Sequence, residues 1–358
     1  MMPPPAMMTS GEVTSFYDRV HWRLLSAHTV EVSPAKRTLA VILAGFCAFL
    51  QIYAPQPLLP MLTRVFAVDT SLAYMDRTGI AAQLISNCSP VTKSDVIVAS
   101  NTYGASLVKV HPKHFGLIAM LPLADPARAV SEIRRANEEL GADGFAALSN
   151  FDGVYLGDAR FEPVWAELDK LGATLFIHPT TRGYGDLALG RTGALIEAPF
   201  DTARTVVDML YAGVFRRYPR FNVLLAHGGG ALPSLAGRVT NFGDGARGWV
   251  ANPHRITADE MRAVFGRFYY DTALAGTAHS LDPILDVTTP DHVVYGADFG
   301  APCTDPALCD LNLEATRGYE RLTLEQREAL GTNVLALFPK FAERVGAVER
   351  DQVAAAAE

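Results

Sequence analysis

The sequence has no excess of positive charge: 31 Lys and Arg stand against 38 Asp and Glu, a formal net charge of -7. Nucleic-acid partners are met by a basic face, and no run of like charge supplies one, so that class of function is excluded. The four cysteines, Cys47, Cys88, Cys303 and Cys309, form no CxxC pair. A disulfide framework and a structural zinc knuckle are therefore excluded, and a reducing, cytoplasmic setting is the default for the folded body. No second long apolar run follows the one near the N-terminus, so a polytopic membrane protein is excluded as well.

What is present is apolar content in quantity. With 358 residues, 49% of them hydrophobic, the chain can bury a large core. The first residues, rich in Pro and Met from Met1 to Met8, show no periodicity and read as disordered. An uninterrupted apolar run, Leu39 to Leu50, continues with polar breaks through Ile52, Tyr53, Leu58, Leu59, Met61 and Leu62. It is long enough to span a bilayer, and a buried core helix is the competing reading. Pro55, Pro57 and Pro60 would break a helix at its end.

From about Ser71 short β-rich runs alternate with amphipathic helices, the pattern of parallel strands joined by crossover helices. The candidate strands are 80–86, 115–121, 144–148, 174–178, 223–227, 268–271 and 293–296. Between them, Asp125 and Pro126 open a helix that carries Val130, Ile133, Ala136 and Leu140 and stops at Gly141. Val164, Leu168 and Leu171 repeat the pattern before Gly172, and a further helix spans 205–215 ahead of Pro219. Seven such units without a linker predict one α/β domain, a TIM-like (β/α)8 barrel lacking its usual first strand, with an N-terminal apolar helix. The predicted organisation is an extension over 1–70, a barrel over 71–345 and a tail over 346–358.

In such a barrel, chemistry gathers where strands end and the βα loops converge. Three polar residues stand there: His178 after one strand, His227 before Gly228, Gly229 and Gly230 after another, and Asp298 after the last. Any one of them alone reads as a hydrogen-bonded core or loop residue. Two histidines and a carboxylate at converging strand ends form a donor set for zinc or another divalent ion.

The segments TLFIHPT, LLAHGGGALPSLAGRV, FYYDTAL and VVYGADFGAP, with LGDARFEPVWAELDKLGATLFIHPT, resemble the amidohydrolase-related decarboxylases. That group includes 2-amino-3-carboxymuconate-6-semialdehyde, γ-resorcylate and 6-methylsalicylate decarboxylases, the last being the nearest in wording. The resemblance runs from about Ser71 to about Arg344. It implies a metal-dependent carbon–carbon lyase acting on a small aromatic carboxylate, with zinc or manganese as cofactor. It further implies His178 and Asp298 as metal ligands, and His227 as the acid or base beside the ion. Arg238 matches an arginine that binds substrate carboxylate across a homodimer interface, with a surface arginine on a helix as the alternative. His111, His114, His254, His279 and His292 match no ligand position and read as loop or surface residues.

Two features depart from that resemblance. The family carries His-x-His or Glu-x-His on its first strand, and neither spacing occurs in this sequence. His21 and His28, the histidines ahead of Ile80, lie upstream of the apolar run. The segment AGFCAFLQIYAPQPLLPMLTRVFAVD, Ala44 to Asp69, instead resembles the first membrane span of bacterial major facilitator transporters, with Lys36 and Arg37 on its cytoplasmic side. These features imply weakened metal binding and a membrane association through 39–62. They leave open a hydrolase of the same superfamily, or a non-catalytic fusion product.

Overall fold

The computed structural model describes residues 59–86, 88, 93–180, 189–248, 250–299 and 305–346, with backbone alone over 59–67. Two compact units divide the chain, residues 1–63 and 64–358, and the second is described below. His21, His28, Lys36, Arg37, Cys47 and Cys303 lie outside the described residues, as do residues 39–58 of the apolar segment. The helix ahead of the first strand, α1, is Leu59–Thr78. It overlaps the apolar segment predicted over 39–62 only at 59–62, and Arg64, Asp69, Asp76 and Arg77 interrupt its apolar positions. It runs through Ser71 without a break, and no helix among the described residues is long and apolar enough to cross a membrane.

Seven parallel strands follow, interleaved with helices. They are β1 (Gln83–Ser86), α2 (Ser94–Val110), β2 (Phe115–Met120), α3 (Pro126–Glu138) and β3 (Gly144–Leu148). A two-stranded hairpin, β4 (Asn150–Phe151) and β5 (Val154–Tyr155), precedes α4 (Glu162–Leu171), β6 (Thr174–His178), α5 (Glu197–Tyr211), α6 (Val214–Arg217) and β7 (Asn222–Leu225). Then come α7 (Leu232–Gly243), α8 (Ala258–Arg267), β8 (Tyr269–Asp271), α9 (Ala278–Val287), β9 (Val293–Val294), α10 (Pro306–Arg317), α11 (Leu324–Ala329) and α12 (Val334–Leu337).

The sheet order is β1-β2-β3-β6-β7-β8-β9, so each strand lies beside its predecessor in the sheet, the usual outcome for consecutive strand and helix units. Six of the seven strands fall within their predicted runs, and β7 begins one residue ahead of its run, at Asn222. Among the described residues no strand joins β1 to β9, and the sheet is a curled, open relative of the eight-stranded barrel. The open side shows in burial: every residue of β2 and β3 is buried, whereas every residue of β1 is half-buried. On the side away from β8, the Tyr295 N–H beyond β9 donates to Leu330 O rather than to a strand.

Local signals account for the helices. The Asp125 carboxylate accepts from Arg128 N with Pro126 in the first turn of α3, and Gly172 caps α4 in the left-handed conformation, φ 58°. The helix predicted over 205–215 starts earlier, at Glu197, and is split by Gly213 at φ 72°, which no residue with a Cβ adopts freely. Side chains from α4, α6 and the strands bury Trp165, Phe161, Phe221 and Phe268 almost completely. Burial of each such aromatic contributes on the order of 2–3 kcal/mol. At the N-terminal end of the strands, a Cβ on Gly144 would lie 2.6 Å from the Phe338 ring, so glycine there admits the side chain that closes the bottom of the core.

Candidate functional site

Strand β6 ends on His178, β7 leads through Ala226 to His227, β8 ends on Asp271, and Asp298 follows β9 by four residues. In a flat sheet the outermost of these four strands would stand about 14 Å apart at ~4.8 Å per step. Instead, ligand atoms of His178, His227 and Asp298 all lie within 4.8 Å of one another. The curl of the sheet therefore brings together the three residues read from the sequence. Two of them adopt the left-handed backbone conformation despite their side chains, His227 at φ 55° and Asp298 at φ 54°. Each such residue costs about 1–3 kcal/mol and is held by its surroundings. Gly230, at φ 59°, belongs to the same turn: a Cβ there would fall 2.3 Å from Pro199 O, so the loop after His227 closes directly on the start of α5.

Hydrogen bonding defines both imidazoles. His178 Nδ1 lies 2.9 Å from Pro179 O and His227 Nδ1 lies 3.2 Å from Ala273 O. A carbonyl oxygen only accepts, so each Nδ1 carries a proton and each Nε2 is left to face the site. Those two Nε2 atoms face one another at 3.3 Å. Two lone pairs at that distance repel unless a proton or a cation lies between them. Two nitrogens bound to a tetrahedral ion at about 2.1 Å stand about 3.4 Å apart, so the spacing accommodates either a divalent ion, with Asp298 as an oxygen donor, or a proton on one Nε2.

Burial, assisted by the charge on His227, pushes the pKa of His178 from 6.5 down to about 3. The ring is therefore neutral and able to bind metal at ordinary pH. Asp271 was not singled out in the sequence, although it closes a strand by the same rule that identified His178. Its Oδ1 accepts from His227 N at 2.7 Å and from Ala273 N at 3.0 Å, fixing both the histidine and the carbonyl that orients it. Burial raises this carboxyl from 3.8 to about 6, against the lowering effect of His227 and of the two backbone N–H groups. Cys88, beyond β1, donates to or accepts from Ser86 Oγ at 3.1 Å. Burial, with the charges of Asp298 and Asp271, pushes its thiol up to about 12, so it is a neutral group and no nucleophile at neutral pH.

The two shifts have opposite consequences for the metal-free chain. Between pH 3 and 6.5 the unfolded chain binds more protons at His178 than the folded one, so the stability from His178 is complete above 6.5 and is lost as pH falls toward 3. For Asp271 the folded chain binds more, so its contribution is complete below 3.8 and is lost as pH rises through about 6. Denaturant unfolding of a His178→Gln variant is expected to show a flatter acid limb over the first window. A slope equal to that of the parent would contradict the assignment.

Arg238 lies exposed on α7, its guanidinium 5.0 Å over the ring of Phe242 one turn on. His292 stacks on Tyr269 at 4.2 Å, and His111 packs edge-on against Phe115, so both serve packing.

A family profile described as Amidohydrolase matches residues 73–339. The 6-methylsalicylic acid decarboxylase of Penicillium expansum is 30% identical over 288 residues, covering 78% of this chain and 85% of that protein. The decarboxylase macB of Penicillium terrestre is 33% identical, covering 64% of this chain and 70% of its own length. Among solved structures, the 5-carboxyvanillate decarboxylase of Novosphingobium aromaticivorans superposes with a TM-score of 0.70 at 19% identity, over 81% of this chain and 86% of that one. That structure holds manganese and 4-hydroxy-3-methoxy-5-nitrobenzoic acid.

Proposed function

Because the chain belongs to the amidohydrolase family, we propose that it is a metal-dependent carboxy-lyase that releases carbon dioxide from a small aromatic acid such as 6-methylsalicylate. The observation that carries this reading is the pair of Nε2 atoms facing each other at 3.3 Å beside Asp298. His178 Nε2 and the Asp298 carboxylate would hold the ion, zinc or manganese. When bound, that ion supplies the positive charge that anchors the substrate's carboxylate or a neighbouring hydroxyl.

His227 has its Nδ1–H engaged by Ala273 O, so the proton it transfers is carried on Nε2, the atom turned toward the site. That proton forms the new C–H bond at the ring carbon while the bond to the carboxyl carbon breaks and carbon dioxide departs. The nitrogen is then reprotonated from solvent. Asp271 holds the His227 backbone and Ala273 in the geometry this transfer needs. Incubation of the full chain with 6-methylsalicylate and, separately, with an aromatic lactone distinguishes this reading from a hydrolase of the same family. Carbon dioxide release from the acid is expected, and ring opening of the lactone alone would overturn it.

Arg238 would reach a substrate carboxylate only across a subunit boundary. Exposed Phe242 beside it, and exposed Leu195, Ile196 and Phe200 at the start of α5, which packs on α7, support a homodimer face there. The organisation proposed is an extension over 1–70, the catalytic body over 71–345 and a tail over 346–358. Residues 39–62 support membrane association of the full chain through their apolar length. Sedimentation with and without lipid vesicles reads both properties: a vesicle-bound or dimeric species is expected, and a free monomer at micromolar concentration would remove both.

A further inference from the structure

Ser149, the residue that follows β3, touches the segment after β6 at two points. Its backbone N–H donates to His178 O at 2.8 Å, and its Oγ accepts from Thr180 N at 2.9 Å. The residues so bracketed are His178, Pro179 and Thr180. The Ser149 hydroxyl proton is directed onto Asp201 Oδ2, on α5. Asp201 also accepts from Asn150 Nδ2 at 2.8 Å and from the Tyr155 hydroxyl at 2.7 Å, so the hairpin β4–β5 converges on the same carboxylate. Ser149, Asn150, Thr180 and Asp201 are each at least 95% buried. Nothing in the chemistry proposed above uses them, and an arrangement of polar groups so far from water needs a reason.

Peptide geometry supplies one. The N–H of Thr180 and the C=O of Pro179 belong to a single planar trans unit and point in opposite directions. Anchoring Thr180 N–H on Ser149 Oγ therefore aims Pro179 O the other way, where His178 Nδ1 meets it at 2.9 Å. A hydroxyl has one proton. With that proton committed to Asp201, the oxygen presents a lone pair to Thr180.

We propose that Ser149, oriented by Asp201, is a positioning residue that locks His178 in the Nδ1–H tautomer and keeps Nε2 bare toward the site. The relay runs from the Asp201 carboxylate through the Ser149 hydroxyl and the Pro179–Thr180 peptide to the imidazole. It deepens the reading of His178 as a metal ligand and rests on that reading only for its effect on metal affinity. His227 is held by a separate device, Asp271 and Ala273, which shares no residue with this one.

The test is long-range ¹H–¹⁵N correlation of the histidine rings in the metal-free full chain at pH 7.5, for the parent and for Ser149→Ala. The parent is expected to show His178 as a single Nδ1–H tautomer. Ser149→Ala is expected to show a mixture with Nε2–H, while the His227 signals stay as they were. Ser149→Cys fills nearly the same space with a weak acceptor and is expected to move the same signal in the same direction, so a poorly folding alanine variant does not end the test. Manganese affinity of the metal-loaded variants is expected to fall about 10- to 100-fold, the range for losing a group that orients a ligand. A purely structural role would lower the unfolding midpoint and leave the tautomer alone. An unchanged His178 tautomer in both folded variants would overturn the proposal. A tautomer shift in a chain that never releases carbon dioxide would instead support the relay and count against the decarboxylase reading.

Discussion

Asp298→Asn and His178→Ala are each expected to lower manganese or zinc affinity by more than about 100-fold, beyond the 10- to 100-fold seen when only an orienting partner is lost. Each side chain faces a point that at most three described donors surround, so none is redundant. Amide for carboxylate at 298 keeps the shape and removes the charge. His178→Ala removes the nitrogen whose neutrality burial secures, its pKa standing at about 3. Carbon dioxide release should fall with occupancy, by about 100- to 1,000-fold at a fixed metal concentration, the scale for losing one electrostatic anchor of a reaction. Isothermal titration with manganese and a carbon dioxide assay measure the two effects. His227→Gln should separate them: it is expected to retain most of the affinity and to lose turnover, because the role proposed for it is proton delivery. If His227→Gln abolished binding as completely as His178→Ala, His227 would be a ligand.

The opposite change has the largest gain. Replacing the residues before Ser71 by a strand carrying His-x-His is expected to raise metal affinity by several orders of magnitude and turnover with it. Two further nitrogens would complete the set that the amidohydrolase-related decarboxylases carry, and neither His-x-His nor Glu-x-His occurs in this sequence. β1 and β9 are the two edges of the sheet, β1 is half-buried along its whole length, and Asp298 lies beyond the end of β9. A strand seated between them would end beside the existing donors. The unmodified chain is expected to bind metal weakly and turn over slowly by comparison. Equal occupancy and rate in the two proteins would show that other groups already complete the site.

The strands were readable because each is a short apolar run bounded by a turn signal, and parallel strands buried on both faces keep such runs uninterrupted. His178, His227 and Asp298 were readable because a strand's last polar residue has one place to go in a curled parallel sheet. Asp271 obeys the same rule but directly follows the aromatic pair Tyr269–Tyr270, and the sequence assigns it no role. Its pairing with His227 N spans 44 residues and leaves no local trace. Ser149 and Asp201 are 52 residues apart, on a strand end and a helix, and serine or aspartate at such positions ordinarily caps or faces water. The hairpin β4–β5, two residues per strand, is too short to show a period. Arg238 carries two readings from the sequence, a substrate contact across a dimer interface and a surface arginine on a helix, and within one chain it lies over Phe242 on an exposed helix face.

The central claim is that His178, His227 and Asp298 form a metal-dependent decarboxylation site. It is tested most directly by measuring carbon dioxide release from 6-methylsalicylate by the chelator-treated full chain as manganese is added back, with the His178→Ala variant measured alongside. Release that is absent without the ion, rises with manganese and does not rise in the variant is the expected result. Release that is independent of added metal, or equal in His178→Ala, would contradict it.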